Sequence, residues 1–305
     1  MKFLILKQCL TGDDITEKSL TGGYTGKLLL RALEKAGIND YKIEYLFPTP
    51  SEHLWFSKEY QEGFSRYTKG YPSAPYVERL RSIKETKWNF DRILLLGSIP
   101  LWFHTGINGL AKHRGVITED WIATHSPEDV IRAWDLLPVF EADIKKANRI
   151  VDKTPRKVWV ADKWSDSETF RKMITSEVAV DVETANNQIT CVGLAPKKSM
   201  AMVIPFRNST GIVWSLEDEV KWWLWIKGIL EDATITKVFH NGAYDMQYFR
   251  KHGIFTKGEF HDTMFMHHSM EPEMLKSLGF LSSLYLSESA WKTLRPKAES
   301  NKANE

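Results

Sequence analysis

Apolar and polar positions change their period along the chain, and each change marks an element. Lys2–Leu6 is a short apolar run that predicts a strand, followed by turn-forming residues through Gly12 and Gly22-Gly23. Gly26–Ala36 has helical spacing and stops at Gly37, and Tyr41–Phe47 reads as a second strand ended by Pro48 and Pro50. Residues 51–87 are rich in Tyr, Trp, Ser and charge and show no single period. Arg92-Ile-Leu-Leu-Leu-Gly97 is a continuous apolar run, the mark of a strand buried on both faces. Serine and proline at Ser126-Pro127 predict the start of one long helix over Glu128–Ile150. Strands alternating with helices favour a parallel sheet wrapped by helices, an α/β domain over residues 1–152.

A charged stretch with Pro155 reads as a linker, and Ser165-Asp-Ser-Glu168 has the spacing of a capping box. Three strand-like runs then follow in succession, Glu177–Glu183, Gln188–Leu194 and Met200–Phe206. The turns between them, Asn186-Asn187 and Pro196-Lys-Lys, are short, which predicts antiparallel hairpins. The helix Glu217–Leu230 carries Trp222, Trp225, Ile226 and Ile229 on one face, and these tryptophans read as core. A strand Thr236–Phe239, a helix from Asn241 to Gly253 and an apolar helix headed by Asp262 complete the pattern. This second α/β segment, with its first three strands antiparallel, spans residues 157–295, and 296–305 form a polar tail.

Composition narrows the function classes. With 43% hydrophobic and 26% charged residues, the 305-residue chain is of globular type, long enough for two domains. Lys and Arg number 41 against 39 Asp and Glu, so any nucleic-acid binding must come from local concentrations of positive charge. The two cysteines, Cys9 and Cys191, are too few and too far apart for a disulfide framework, a zinc finger or an iron–sulfur cluster. They read as buried thiols of a reducing compartment. No apolar run reaches the length of a membrane span and the amino terminus lacks a signal pattern, so a cytoplasmic location without membrane association is expected.

Candidate chemistry is concentrated in the second segment. In Ala179-Val-Asp-Val-Glu-Thr184, Asp181 and Glu183 lie two apart on a strand, so both carboxylates point to one face and the valines to the other. Two such acids repel unless a cation sits between them, and hard oxygen ligands suit Mg²⁺. In Val238-Phe-His-Asn-Gly-Ala-Tyr-Asp-Met246 a strand gives way to a helix with Asn241 as its cap, placing Asp245 one turn in.

Asp-x-Glu on a first strand, Asn-x-x-x-Asp at a strand–helix junction and Asp262-Thr-Met opening the next helix together resemble the proofreading 3′–5′ exonuclease domain of family A DNA polymerases, a ribonuclease H-like fold. The resemblance extends over about 157–295. Lys276-Ser-Leu-Gly-Phe-Leu-Ser-Ser-Leu-Tyr-Leu and Trp291-Lys292 are similar to the phage branch. It implies that Asp181, Glu183 and Asp245 are catalytic and bind two Mg²⁺ or Mn²⁺ ions, and that Thr184, Asn241 and Asn187 position a single-stranded DNA 3′ end. The family's third motif, Tyr-x-x-x-Asp or His-x-x-x-Asp, has no counterpart, for no aspartate follows Asp262. The expectation is therefore a domain truncated before that motif. It would be completed by a polymerase subunit or downstream polypeptide, or would serve as a catalytically incomplete DNA- or polymerase-binding accessory.

The first segment carries a second resemblance. Gly22-Gly-Tyr-Thr-Gly-Lys-Leu-Leu29, Ile93–Gly97 with Leu101, Thr105-Gly106, Lys112, Arg114-Gly115 and Thr124-His-Ser-Pro127 are similar to landmarks of the uracil-DNA glycosylase superfamily. It implies a parallel-sheet α/β domain with a possible site at His125 and Asp13. The loop Lys7-Gln-Cys-Leu-Thr-Gly-Asp-Asp14 departs from the family's water-placing pattern. A DNA- or polymerase-binding module is the leading expectation there, with glycosylase activity second.

Overall fold

The computed structural model describes residues 1–10, 14, 16, 19, 21–50, 85, 89–152 and 154–288. Asp13, most of the aperiodic stretch 51–87, Trp291-Lys292 and the polar tail lie outside the described residues. The chain divides into two compact units. One is Met1–Asp152 joined by the residues from Gly279 onward, and the other is Lys153–Leu278.

The first unit is built on a four-stranded sheet in the order β2-β1-β3-β4, formed by β1 (Phe3–Leu10), β2 (Tyr41–Pro50), β3 (Arg92–Leu96) and β4 (Trp121–Thr124). All of its pairings are parallel. The apolar runs behave as a strand buried on both faces requires. Phe3, Ile5, Leu94 and Leu96 join one core, with Leu29 and Leu33 of α1 (Tyr24–Lys35) and Phe140 and Ile144 further along. Leu4, Leu6, Ile93 and Leu95 join a separate core with Leu101, which lies on α2 (Ser98–Thr105). A short α3 (Leu110–His113) precedes β4.

The helix expected over Glu128–Ile150 is two helices, α4 (Pro127–Arg132) and α5 (Leu137–Lys146), separated by extended backbone at Ala133 and a 3₁₀ turn. Pro138 is the physical reason: proline has no N–H to donate and its ring clashes one turn back, so it fits a helix start and not an interior. Ser126 caps α4 as its sequence predicts, in a reciprocal box with Asp129.

A buried charged cluster closes this unit. The Arg114 guanidinium donates to both oxygens of Asp143 at 3.1 and 3.2 Å, and Thr124 donates to Asp143 at 2.9 Å. Lys146 donates to the carbonyls of Gly115 at 2.7 Å, Ser283 at 2.5 Å and Leu286 at 3.2 Å. Arg114 also donates to the Ser283 hydroxyl and lies over the Phe280 ring. Gly115 must be glycine here: its φ is +69°, and a Cβ would stand 2.4 Å from the Asp143 carboxylate. Ser283 and Phe280 belong to the last described helix (Leu278–Tyr285). The sequence pattern runs that segment on with the exonuclease-like region, but its contacts group it with the first unit, because the buried cations need its carbonyls.

The second unit contains a six-stranded sheet in the order β12-β11-β6-β7-β8-β5. Its strands are β5 (Lys157–Val160), β6 (Glu177–Ala185), β7 (Gln188–Lys197), β8 (Met200–Pro205), β11 (Thr236–Phe239) and β12 (Phe260–Asp262). β6, β7 and β8 pair antiparallel in succession, and β5, β11 and β12 join in parallel. A small ribbon, β9 (Arg207–Asn208) with β10 (Gly211–Ile212), stands apart from the sheet. Asn186 and Asn187 both have positive φ, 48° and 61°, the two-residue hairpin geometry that asparagine tolerates.

Val178, Val180 and Val182 of β6 enter the core, where Trp222, Ile226 and Ile229 cover them from the helix Leu216–Leu230. α6 (Ser165–Arg171) lacks the expected side-chain cap. Its Asp166 instead turns back to accept from the Asp162 amide at 3.3 Å. Among the described residues no helix is long and apolar enough to cross a membrane.

Candidate functional site

Period two on β6 decides where the acids go. With the valines committed to the core, Asp181 and Glu183 are left exposed on the opposite face, beside Gly193 and Cys191 of β7. Cys9 is buried as expected, whereas Cys191 is only half-buried. Burial pushes the Cys191 thiol up from its ordinary range, and the charges of Glu183 and Asp181 push the same way.

We number the helices that follow α7 (Leu216–Leu230), α8 (Gly242–Lys251), α9 (Thr263–Met270) and α10 (Leu278–Tyr285). The parallel pairing of β11 with β6 ends at Ala179, so β6 runs on beyond its neighbour. There the buried Asp245, in the first turn of α8, accepts a hydrogen bond from the Val182 amide at 2.9 Å. This places the helix carboxylate against the residue between the two strand acids. Burial, and then the charges of Asp181 and Asp262, push its carboxyl up to about 6.

Asn241 differs from its expected role. Its backbone is left-handed, φ 64°, and its side chain makes no cap bond. Asp262 does the capping: one carboxylate accepts from the amides of Asn241 at 3.1 Å, Gly242 at 2.7 Å and Met264 at 2.9 Å. It thus ties together the starts of α8 and α9.

The two other positioning candidates are brought to α8. Thr184 Oγ1 and the Tyr244 hydroxyl are 2.5 Å apart, and Asn187 Oδ1 accepts from Lys251 at 2.7 Å and from the Tyr248 hydroxyl at 3.3 Å. The sequence reading passed over Tyr244, Tyr248 and Lys251. Their spacing of four and three residues, which aligns them on one helix face, was the available signal.

Ala179, two residues from Asp181 and so on the same sheet face, borders a hollow rimmed by Arg156, Lys157, Lys197 and Lys198. Its lining sets these four cations against one acid, Glu177, leaving a net positive charge there. Among the described residues no three His, Cys, Asp or Glu side chains stand close enough to hold a metal ion as they are. The chemistry of the donor set nevertheless fits one: Asp181, Glu183 and Asp245 offer only hard oxygens, and mutual repulsion contributes to the raised carboxyl of Asp245.

In the first unit, His125 follows β4 and is half-buried. Burial, and then the Arg114 charge, pull its imidazole below the ordinary range. Asp13 lies outside the described residues. Its neighbour Asp14 is buried and paired with Lys7 at 3.2 Å, and Lys7 stands 3.8 Å from Glu128.

Residues 158–299 match the family model of the 3′–5′ exonuclease domain of DNA polymerase A type, a span that includes all three carboxylates. A DNA polymerase of Escherichia phage T5 is 24% identical over 220 residues, covering 63% of this chain and 25% of that protein. The chain therefore spans about a quarter of the length of that relative. Among solved structures, Brucella melitensis NrnC bound to pGG is 20% identical, with 45% of this chain and 63% of that one covered at a TM-score of 0.32. The Aedes aegypti Nibbler EXO domain is 14% identical, with coverages of 52% and 79% and a TM-score of 0.35. Escherichia coli RNase D, an exoribonuclease involved in structured RNA processing, is 16% identical, with coverages of 41% and 36% and a TM-score of 0.29.

Proposed function

We propose that this chain is a 3′–5′ exodeoxyribonuclease of the polymerase-proofreading type, removing the terminal nucleotide of a single strand by hydrolysis. The observation that carries the reading is the Asp245 carboxylate seated on the Val182 amide between Asp181 and Glu183, inside the segment that matches the exonuclease model. Asp181, Glu183 and Asp245 would hold two Mg²⁺ or Mn²⁺ ions, which when bound supply activation of water and stabilisation of the leaving 3′ oxygen. The chain's own contribution is to gather those oxygens from a strand and a helix, and to present positive charge at Arg156, Lys157, Lys197 and Lys198 to the phosphate backbone. The partner in this reading is a polymerase subunit or downstream polypeptide.

The test is Mg²⁺-dependent release of nucleotides from 3′-labelled single-stranded DNA, by the chain alone and with a polymerase polypeptide. Asp181→Ala is expected to reduce release by about 10²-fold or more, the scale of losing one preorganised electrostatic contributor. If no nucleotide is released in either setting while DNA binding persists, the accessory reading replaces the enzymatic one. RNA offered alongside DNA decides the substrate.

For the first unit we propose a glycosylase-like DNA- or polymerase-binding module. His125 lies just past the carboxyl end of β4 in an open parallel sheet, where such sheets bind their ligands. Abasic sites appearing in a uracil-containing oligonucleotide in the same assay, and lost with His125→Ala, would assign it activity as well.

A further inference from the structure

Asp181 and Glu183 stand on a strand and Asp245 on a helix, so their spacing is set by whatever fixes α8 against the β6–β7 hairpin. Inside α8 only Gly242, Asp245 and Phe249 are buried, and Asp245 is itself one of the candidate ligands. Phe249 lies in the core with Met246 and Tyr248 packed partly buried against it, and two side-chain ties add to that packing. One joins Thr184 to Tyr244 in the first turn, and the other joins Asn187 to Tyr248 and Lys251. From Tyr244 to Lys251 is seven residues, about 10 Å along the helix axis. A helix held at two points that far apart cannot pivot as it can when held at one.

We propose that Asn187, with Tyr248 and Lys251, forms a latch that holds α8 in register with the β6–β7 hairpin and so sets the spacing of Asp245 from Asp181 and Glu183. This rests on the nuclease reading above and makes these three positioning residues for that site. The turn explains why the latch resides at Asn187. Its φ of 61° restricts the position to Gly, Asn or Asp, and of these only Asn and Asp also extend an acceptor toward the helix. The bond from Lys251 is charge-assisted at 2.7 Å, and the same ammonium lies 4.2 Å from the centre of the Tyr248 ring.

The turn requirement supplies the control: Asn187→Gly keeps the turn and removes the latch, whereas Asn187→Asp keeps both. In the full-length chain without metal, Asn187→Gly is expected to speed hydrogen exchange at the Val182 amide about tenfold, and to weaken Mn²⁺ binding measured by calorimetry by about 10-fold, the scale of a lost supporting shell. Asn187→Asp should stay within about threefold of the parent in both. Exchange at Val182 unchanged by Asn187→Gly would overturn the latch. Faster exchange with unchanged Mn²⁺ affinity would overturn its role in spacing the ligands. If the parent chain binds no Mn²⁺, the metal reading of the site fails, and Val182 exchange alone then decides the latch.

Discussion

In the proposed nuclease site, Asp245 is the residue at which stability and function would oppose each other. Its carboxyl is raised from 3.8 to about 6, chiefly by burial. An acid raised on folding binds its proton more tightly in the native state, so this group's contribution to the stability of the metal-free protein falls as pH climbs from 3.8 to about 6 and stays level above. Asp245→Asn keeps an acceptor for the Val182 amide and removes the charge. It is expected to stabilise the metal-free protein at pH 8 by about 1–3 kcal/mol, with no gain at pH 4, while ending nuclease activity. Urea denaturation at both pH values in the presence of a chelator measures the first part and nucleotide release the second. The placement of Asp181 and Glu183 on one strand face and of Asp245 in a helix's first turn was legible because its logic is local. The shared helix face of Tyr248 and Lys251 was legible from their spacing, but not their partner Asn187, 61 and 64 positions away. Asn241 was misread for the same reason, because the oxygens that take its local amides belong to Asp262, about twenty residues on.

Elements were read well where one physical rule governed them. The continuous run Arg92–Leu96 is buried at every position, and the three short-turned strands pair antiparallel as their spacing requires. Reading failed where a second rule intervened, as at Pro138, whose ring divides an otherwise periodic stretch into α4 and α5. Asp262 shows how a single side chain can start two elements. Asp262→Ala strands the amides of Asn241, Gly242 and Met264, and is expected to cost roughly 2–4 kcal/mol, while Asp262→Asn should recover part of it. Chemical denaturation of the three proteins orders them. Because α8 carries Asp245, the Ala variant should also lose protection of the Val182 amide.

At the scale of the molecule, length leaves room for two units and near-neutral composition calls for local positive charge in the proposed role, for which the rim of Arg156, Lys157, Lys197 and Lys198 is the candidate. Neither could foretell that the first unit is discontinuous, because nothing in the pattern of Leu278–Tyr285 announces that Lys146 and Arg114, more than a hundred residues earlier, bind its Ser283. A chain ending at Leu278 is expected to lose about 2–4 kcal/mol of stability in the first unit, since buried cations would surrender acceptors. Amide exchange in β3 and β4 should rise while that of β6, β7 and β8 holds. The same contact orders events on the ribosome. Domains generally fold amino-terminal first, but this one waits for α10 until Lys153–Leu278 has been made, on the order of ten seconds at ordinary elongation rates. The unit that leaves the tunnel first is therefore completed only after Lys153–Leu278, and during that interval Arg114, Asp143 and Lys146 form an open, charged seam that α10 closes.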